Sequence, residues 1–183
     1  MSSDDDFVTL AAGIEAAAVT TLTALFAGPI VAAAPKPVAA LAAATLTSHR
    51  TCRDTLNARA SAPVLVAPDE IVTRLGLSSA DTAKDLDDVL TIATRVDELM
   101  SQTCVAAVPQ VNDPSARAVL AQVAAAAGRR LGALRTLASI PDGELVLAIG
   151  PPVHVTVLSA DVGAAGAPAS FVGTSDTLAP GHS

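Results

Sequence analysis

Four ionisable residues, Glu15, His49, Asp97 and Arg130, lie singly within otherwise apolar, alanine-rich segments. Two carboxylates and one imidazole form a ligand set that suits a divalent metal ion. An arginine indicates a different chemistry, because its guanidinium is always charged and presents five donors in a planar fork that carboxylates can satisfy. The residue types therefore leave two kinds of site open, a metal centre and an internal ion cluster without metal.

The spacing of the apolar residues indicates how these four side chains could meet. Residues three and four apart lie on one face of a helix, and four segments each carry such a stripe with one ionisable residue near its middle. We predict that the stripes face a shared interior, although Arg130 could instead reach the surface beside Arg129. The stripes are Val8, Ala12, Glu15, Val19, Leu22 and Phe26; Val38, Ala42, Thr45, His49, Cys52 and Leu56; Leu86, Leu90, Ala93, Asp97, Met100 and Cys104; and Ala116, Leu120, Val123, Ala127, Arg130, Leu134 and Leu137.

Residues that start and stop helices predict four long helices. The Gly-Pro pair at 28–29 ends the first helix, and Ser79 is placed to cap the third. The Asn-Asp-Pro run at 112–114 starts the fourth, because a capping residue precedes proline at the first helical position. A long connection over residues 60–78 contains one short helix after Pro68. The predicted long helices span residues 5–27, 37–59, 80–107 and 114–139.

This order of elements predicts an all-α fold. The first two helices are joined by a short loop, as are the last two, and a long crossover connects the two pairs. This is the connectivity of ferritin-like four-helix bundles. The bundle would occupy residues 1–142. Residues 143–159 alternate and are β-branched, so they form a strand-like or extended segment, and residues 160–183 have the composition of a low-complexity tail.

Composition and charge exclude some classes of function. The net charge is −7, and Trp and Tyr are absent, so the chain lacks both the cations that neutralise phosphates and the aromatic rings that stack on bases. We therefore predict no nucleic-acid partner. Cys52 and Cys104 lie too far apart for a CxxC motif and are expected to be small buried side chains, with a disulfide between helices as the alternative.

The first apolar run bears on localisation. Residues 7–34 are long enough to span a bilayer. Their Ala, Thr and Gly residues, however, gain little free energy on transfer from water to the bilayer, and the segment contains the charged Glu15. A secretory signal begins with a positively charged region, whereas three aspartates occupy residues 4–6. We expect a buried amphipathic helix, no membrane span and a cytoplasmic protein.

Residues 5–142 resemble the ferritin-like superfamily, in particular the compact bacterial ferritin-like domain proteins. The resemblance is carried by the strings IEAAAVTTL, LAAATLTSHRTCRDTL, VDELMSQTC and VLAQVAAAAGRRLGALRTLASIPDGE. It is also carried by the order of the four helices and by their central polar positions. It implies a di-metal centre in active members, with one carboxylate from each of helices one and three and an E-x-x-H pair from each of helices two and four.

Carried over onto this chain, the family pattern is incomplete. Glu15 matches the carboxylate of helix one, His49 the histidine of helix two, and Asp97 or its neighbour Glu98 the carboxylate of helix three. The glutamate of helix two falls on Leu46. In helix four, the glutamate and histidine fall on Ala127 and Arg130. An arginine therefore stands where the resemblance implies a metal ligand, and we predict an interior cluster of Glu15, His49, Asp97 and Arg130 without bound metal.

Three functions follow from this pattern. The first is a non-catalytic structural or interaction protein, forming a homodimer through helices one and two or a larger oligomer, with a further protein partner held by the C-terminal tail. The second is a metal-dependent oxidoreductase or metal-binding protein that uses Glu15, His49 and Asp97 to hold iron or another divalent ion. The third is a carrier of a small apolar ligand in the bundle interior.

Overall fold

The computed structural model describes residues 3–74 and 83–138, and all regular structure within these ranges is helical. The all-α prediction is confirmed for this part of the chain. The segments predicted over 143–159 and 160–183 lie outside the described residues. Within residues 3–74 and 83–138, the structure contains six α-helices and one 3-10 helix, Val108–Gln110. The α-helices are α1 (Ser3–Phe26), α2 (Pro29–Ala33), α3 (Lys36–Asn57), α4 (Asp69–Arg74), α5 (Leu86–Ala107) and α6 (Pro114–Ala138).

The short helix α2 is absent from the sequence prediction, which placed only an irregular link between the first two long helices. Gly28 adopts an extended conformation (φ −71°, ψ 164°), and Pro29 follows it as the first helical residue. A proline there has its φ already set for a helix and loses no hydrogen bond. The chain therefore makes one more helical turn before Pro35 precedes α3.

Helix α5 begins at Leu86, so the prediction of a start near residue 80 is wrong for residues 83–85. The cause is a reciprocal cap. Asp85 Oδ1 accepts from the backbone N–H of Asp88 at 2.9 Å, and Asp88 Oδ2 accepts from the backbone N–H of Lys84 at 2.8 Å. These bonds resemble those of a capping box and fix the first turn at this point.

The predicted start of the fourth long helix is confirmed. Helix α6 begins at Pro114, and the side chain of Asp113 accepts from the backbone N–H groups of Ser115 and Ala116 at 3.1 and 3.2 Å. A carboxylate at this position satisfies N–H groups that have no partner within the helix.

The four long helices pack as two antiparallel pairs. Helix α1 has its most extensive contacts with α3, and α5 with α6. Asp5 Oδ1 accepts from the backbone N–H of Ser61 at 2.7 Å, which places the start of α1 beside the end of α3. Asp4 Oδ2 accepts from the backbone N–H of Asp113 at 2.8 Å, so the loop between α5 and α6 lies at the same end. Helices α1 and α6 therefore run in one direction and α3 and α5 in the other.

The connection between α3 and α5 must run the length of the molecule, because α3 ends and α5 begins at opposite ends. Helix α4 lies on this path and packs on α1. A Cβ atom added to Gly13 would lie 2.7 Å from Ile71 Cδ1. The missing side chain of Gly13 therefore allows α4 to approach α1 closely.

The interior contains two apolar clusters, one on each side of a polar layer. One cluster surrounds Leu56, Met100 and Leu120, and the other surrounds Leu22 and Leu134. On each long helix, the single ionisable stripe residue falls between members of the two clusters. The polar groups therefore form a discrete layer within the core.

Helix α1 is long and apolar enough, over Asp4–Phe26, to cross a membrane by length and composition. In this structure, 67% of its most apolar window is buried against the other elements. Glu15 lies at its centre and is fully buried. The helix therefore forms part of the core, and core helices of soluble proteins and N-terminal signal sequences satisfy the same length test.

Candidate functional site

Each of the four long helices contributes one ionisable side chain to the polar layer. Glu15, His49 and Asp97 are 0% exposed, and Arg130 is 6% exposed. Burial of any one of these charges alone would cost several kcal/mol. The layer is therefore compatible with a stable fold only if the four side chains pair with one another. We refer to these four residues as the ion cluster.

Arg130 is at the centre of the ion cluster. Its Nε donates to Asp97 Oδ1 at 2.8 Å, and its Nη2 lies 2.7 Å from the same oxygen. Nη2 also donates to Glu15 Oε1 at 3.3 Å. On the other side, Nη1 donates to Ser48 Oγ at 2.9 Å and lies 3.6 Å from Cys52 Sγ. One guanidinium therefore joins α6 to α1, α3 and α5.

His49 completes the cluster from α3. Its Nδ1 lies 2.6 Å from Glu15 Oε2, a distance at which a protonated Nδ1 donates to the carboxylate. Its Nε2 lies 3.7 Å from Asp97 Oδ1, too far for a hydrogen bond. Among the described residues, His49 Nε2, Asp97 Oδ2 and Thr45 Oγ1 are buried without a hydrogen-bond partner. The cluster is therefore strongly paired around Arg130 but not fully satisfied.

Groups of opposite charge face one another in the ion cluster, because the guanidinium of Arg130 contacts the carboxyl groups of both Asp97 and Glu15. Burial raises the pKa of Asp97, against the opposing effects of His49 and Arg130. Burial opposes the charge of Arg130, yet Asp97 and Glu15 together raise its pKa. Arg130 therefore remains a cation in the interior.

The two cysteines offer no reactive thiolate at this site. Both are buried and neither forms a disulfide. Burial, assisted by the negative charge of Glu15, raises the pKa of Cys52 despite the nearby Arg130. Burial also raises the pKa of Cys104, whose Sγ lies 3.5 Å from Met100 Sδ. Thiols held in the neutral form are poor nucleophiles and poor metal ligands.

The donor set does not fit the di-metal centre that the ferritin-like resemblance implies. The side chain of Arg130 contacts both interior carboxylates, which a pair of metal ions would need as ligands. Leu46 and Ala127 stand where two further glutamates would be required. Within the part of the chain that the structure describes, no group of three or more His, Cys, Asp or Glu side chains is arranged to hold a metal ion.

The sequence offered Asp97 or its neighbour Glu98 as the carboxylate of the third long helix, and the structure places Asp97 in the cluster. Glu98 lies on the exposed side of α5 and pairs with Arg135. Ser48, which accepts from Arg130, was not identified, because it lies beside the α3 stripe and not within it. A small hydroxyl residue adjacent to the interior histidine, on the side facing α6, is the signal that could have found it.

Protein-family models, curated protein sequences and solved structures give no match to this chain.

Proposed function

We propose that this chain is a ferritin-like four-helix bundle that acts as a non-catalytic structural or interaction protein. In this proposal, the ion cluster takes the position that a di-metal centre has in active members of the ferritin-like superfamily. The observation that carries this proposal is the contact of Arg130 with both Glu15 and Asp97 in the buried polar layer. A fixed cation there opposes a bound metal ion by like-charge repulsion and already occupies one oxygen of each carboxyl group.

The arrangement of the helices supports the ferritin-like part of the proposal. The two antiparallel pairs, α1 with α3 and α5 with α6, are joined by a connection that runs from one end of the molecule to the other. This is the crossover connectivity of ferritin-like bundles. The ionisable residues also lie at the same height on all four helices, as metal ligands do in that class.

Metal analysis tests the proposal directly. The full chain, expressed in iron-supplemented medium and purified without chelator, is measured by inductively coupled plasma mass spectrometry. We expect well below one transition-metal ion per chain, before and after incubation with Fe²⁺, Mn²⁺ or Zn²⁺. About two metal ions per chain would overturn the proposal.

A metal-binding protein is the second candidate function. Two buried atoms of the ion cluster, His49 Nε2 and Asp97 Oδ2, have no hydrogen-bond partner, and both are atoms that can ligate a divalent ion. About one metal ion per chain, lost when Asp97 is changed to Asn, would favour this candidate over the first. The matched control is Glu98→Gln, because Glu98 lies next in sequence and is directed towards Arg135.

The interaction role rests on assembly, which we propose involves a homodimer or larger oligomer and the C-terminal tail. Size-exclusion chromatography with light scattering, with and without residues 160–183, measures both contributions. A larger number of chains per particle for the full chain than for the shortened chain would assign assembly to the tail. A monomer in both cases, at all concentrations, would contradict the oligomer.

A further inference from the structure

An apolar groove lies at the end of the molecule where α1 stops, between α1, α2 and α3. Its volume is about 350 Å³, and its lining contains no charged side chain. Most of the lining is alanine, so the floor of the groove lies close to the helix backbones and few bulky side chains fill it. The alanines and the largest lining residue are Ala27, Ala32, Ala39, Ala42, Ala43 and Phe26.

The surface around this groove is nearly uncharged. Residues 16–48 contain one charged side chain, Lys36. Several groove residues are exposed, including Thr23 and Ala43. A concave surface without charged groups can bind another apolar segment without leaving a buried charge unpaired.

The last described helix, α6, ends at this same end of the molecule. Leu134 and Leu137 of α6 belong to the same apolar cluster as Val31 and Ala42, which line the groove. Helix α6 ends at Ala138. The described part of the chain therefore stops at the end of the molecule that contains the groove.

The sequence that follows α6 has the composition needed to cover an alanine-lined surface. Residues 145–158, LVLAIGPPVHVTVL, contain no Asp, Glu, Lys or Arg, and nine of the fourteen are Ala, Val, Ile or Leu. Large branched side chains complement a floor of small ones. The six linking residues, 139–144, can span up to about 20 Å when extended, which is about two helix diameters. The segment can therefore reach the groove.

We propose that residues 145–158 dock in the apolar groove of α1, α2 and α3 in the same chain. A second copy of the molecule is a less suitable occupant. If the grooves of two copies met, alanine would contact alanine and little apolar area would be buried. The segment instead brings leucine, isoleucine and valine side chains to the alanine floor. Docking would also remove from water the apolar side chains of residues 145–158.

Limited proteolysis of the full chain tests this proposal. Thermolysin cleaves before Leu, Val and Ile, so it reports on exposure of residues 145–158, and mass spectrometry identifies the cleavage sites. Ala43→Glu places a charge in the groove, and Ala44→Glu is the matched control, because Ala44 is the adjacent exposed alanine of the same helix and does not line the groove. We expect cleavage in residues 145–158 to be at least about tenfold faster in Ala43→Glu than in wild type or Ala44→Glu.

A second pair of variants guards against unfolding. Thr23→Glu, within the groove, and Ala24→Glu, beside it on α1, repeat the comparison on another helix. Circular dichroism melts of each pair check that the groove variants stay folded. Equal cleavage rates in all variants would overturn the proposal. So would a wild-type dimer that Ala43→Glu dissociates without a change in cleavage, because the occupant would then be a second copy.

Discussion

Arg130→Ala is expected to lower the free energy of unfolding by about 3–5 kcal/mol at pH 7, the usual cost of removing one partner of a buried ion pair. The substitution removes the two contacts to Asp97 Oδ1, at 2.7 and 2.8 Å. Asp97 Oδ2 already lacks a partner, and His49 Nε2 remains 3.7 Å from the carboxylate. Asp97 would therefore be a buried ion with no hydrogen-bond donor.

Protonation of Asp97 limits this loss. The ordinary pKa of the group is 3.8, and neutralising such a carboxyl at pH 7 costs about 4 kcal/mol, at about 1.36 kcal/mol per pH unit. The contribution of Asp97 to the loss therefore cannot greatly exceed this amount. The weaker contact of Arg130 with Glu15, at 3.3 Å, adds to it, although Glu15 retains His49 as its partner.

The pH dependence has a definite sign. Burial already raises the pKa of Asp97 in the wild type, against the opposing effect of Arg130, so removal of Arg130 raises it further. A group whose pKa is higher in the folded than in the unfolded state binds more protons when folded, and its protonation favours the folded state as the pH falls. The deficit of Arg130→Ala relative to wild type is therefore expected to shrink as the pH falls from 7 to 5, by no more than about 2.7 kcal/mol, the limit for one proton over two pH units.

Urea unfolding followed by far-ultraviolet circular dichroism is the assay, because the chain has no Trp or Tyr for fluorescence. Arg129→Ala is the matched control, since Arg129 is the adjacent exposed residue of α6, and its effect should stay within about 0.5 kcal/mol. Asp97→Leu combined with Arg130→Met removes both charges and should restore most of the stability. Equal small losses for the Arg129 and Arg130 variants, or a loss independent of pH, would refute the reasoning.

Three further predictions concern other features of the structure. Arg130→His removes the interior cation and supplies a ligand, so Co²⁺ is expected to raise its melting temperature and not that of the wild type; no shift in either would contradict the role of Arg130 in excluding metal. Gly128→Ala should stabilise α6 by about 0.5–1 kcal/mol, because nothing lies within 4 Å of the added Cβ. Gly13→Ala should stabilise the protein less or destabilise it, because its Cβ would meet Ile71. Equal gains in urea melts would argue against the close approach of α4 to α1. The buried thiols of the two cysteines should react with a disulfide reagent only as fast as the chain unfolds, and rapid labelling of either in native buffer would contradict their burial.

Much of the helical structure could be predicted from the sequence, because the signals are local. Asp113 and Pro114 mark the start of α6 in sequence and in structure alike. The start of α5 was misplaced because the caps formed by Asp85 and Asp88 depend on which of several acidic residues folds back onto the backbone. A pattern of residue types does not distinguish these choices.

The position of the ion cluster was accessible from helical spacing, since one ionisable residue falls near the middle of each apolar stripe. The spacing could not say which atoms pair. Arg130 directs Nε and Nη2 to one oxygen of Asp97, and Nη1 to Ser48. This pairing depends on how α6 is rotated and shifted along its axis relative to its neighbours. The apolar groove likewise depends on how α2 packs against α1 and α3. The sequence predicted only a short loop at that place and no helix.

The polar layer has a consequence for how four alanine-rich helices find one alignment. Small side chains make smooth faces, so one helix can slide along another by a turn, about 5.4 Å, with little change in the apolar area that it buries. The same slip would carry Arg130 out of hydrogen-bonding reach of Asp97 and leave both charges buried and unpaired, at a cost of several kcal/mol. A single charged layer can thus fix the register of the four helices when their small side chains interlock only weakly. One buried polar residue has the same effect in a coiled coil.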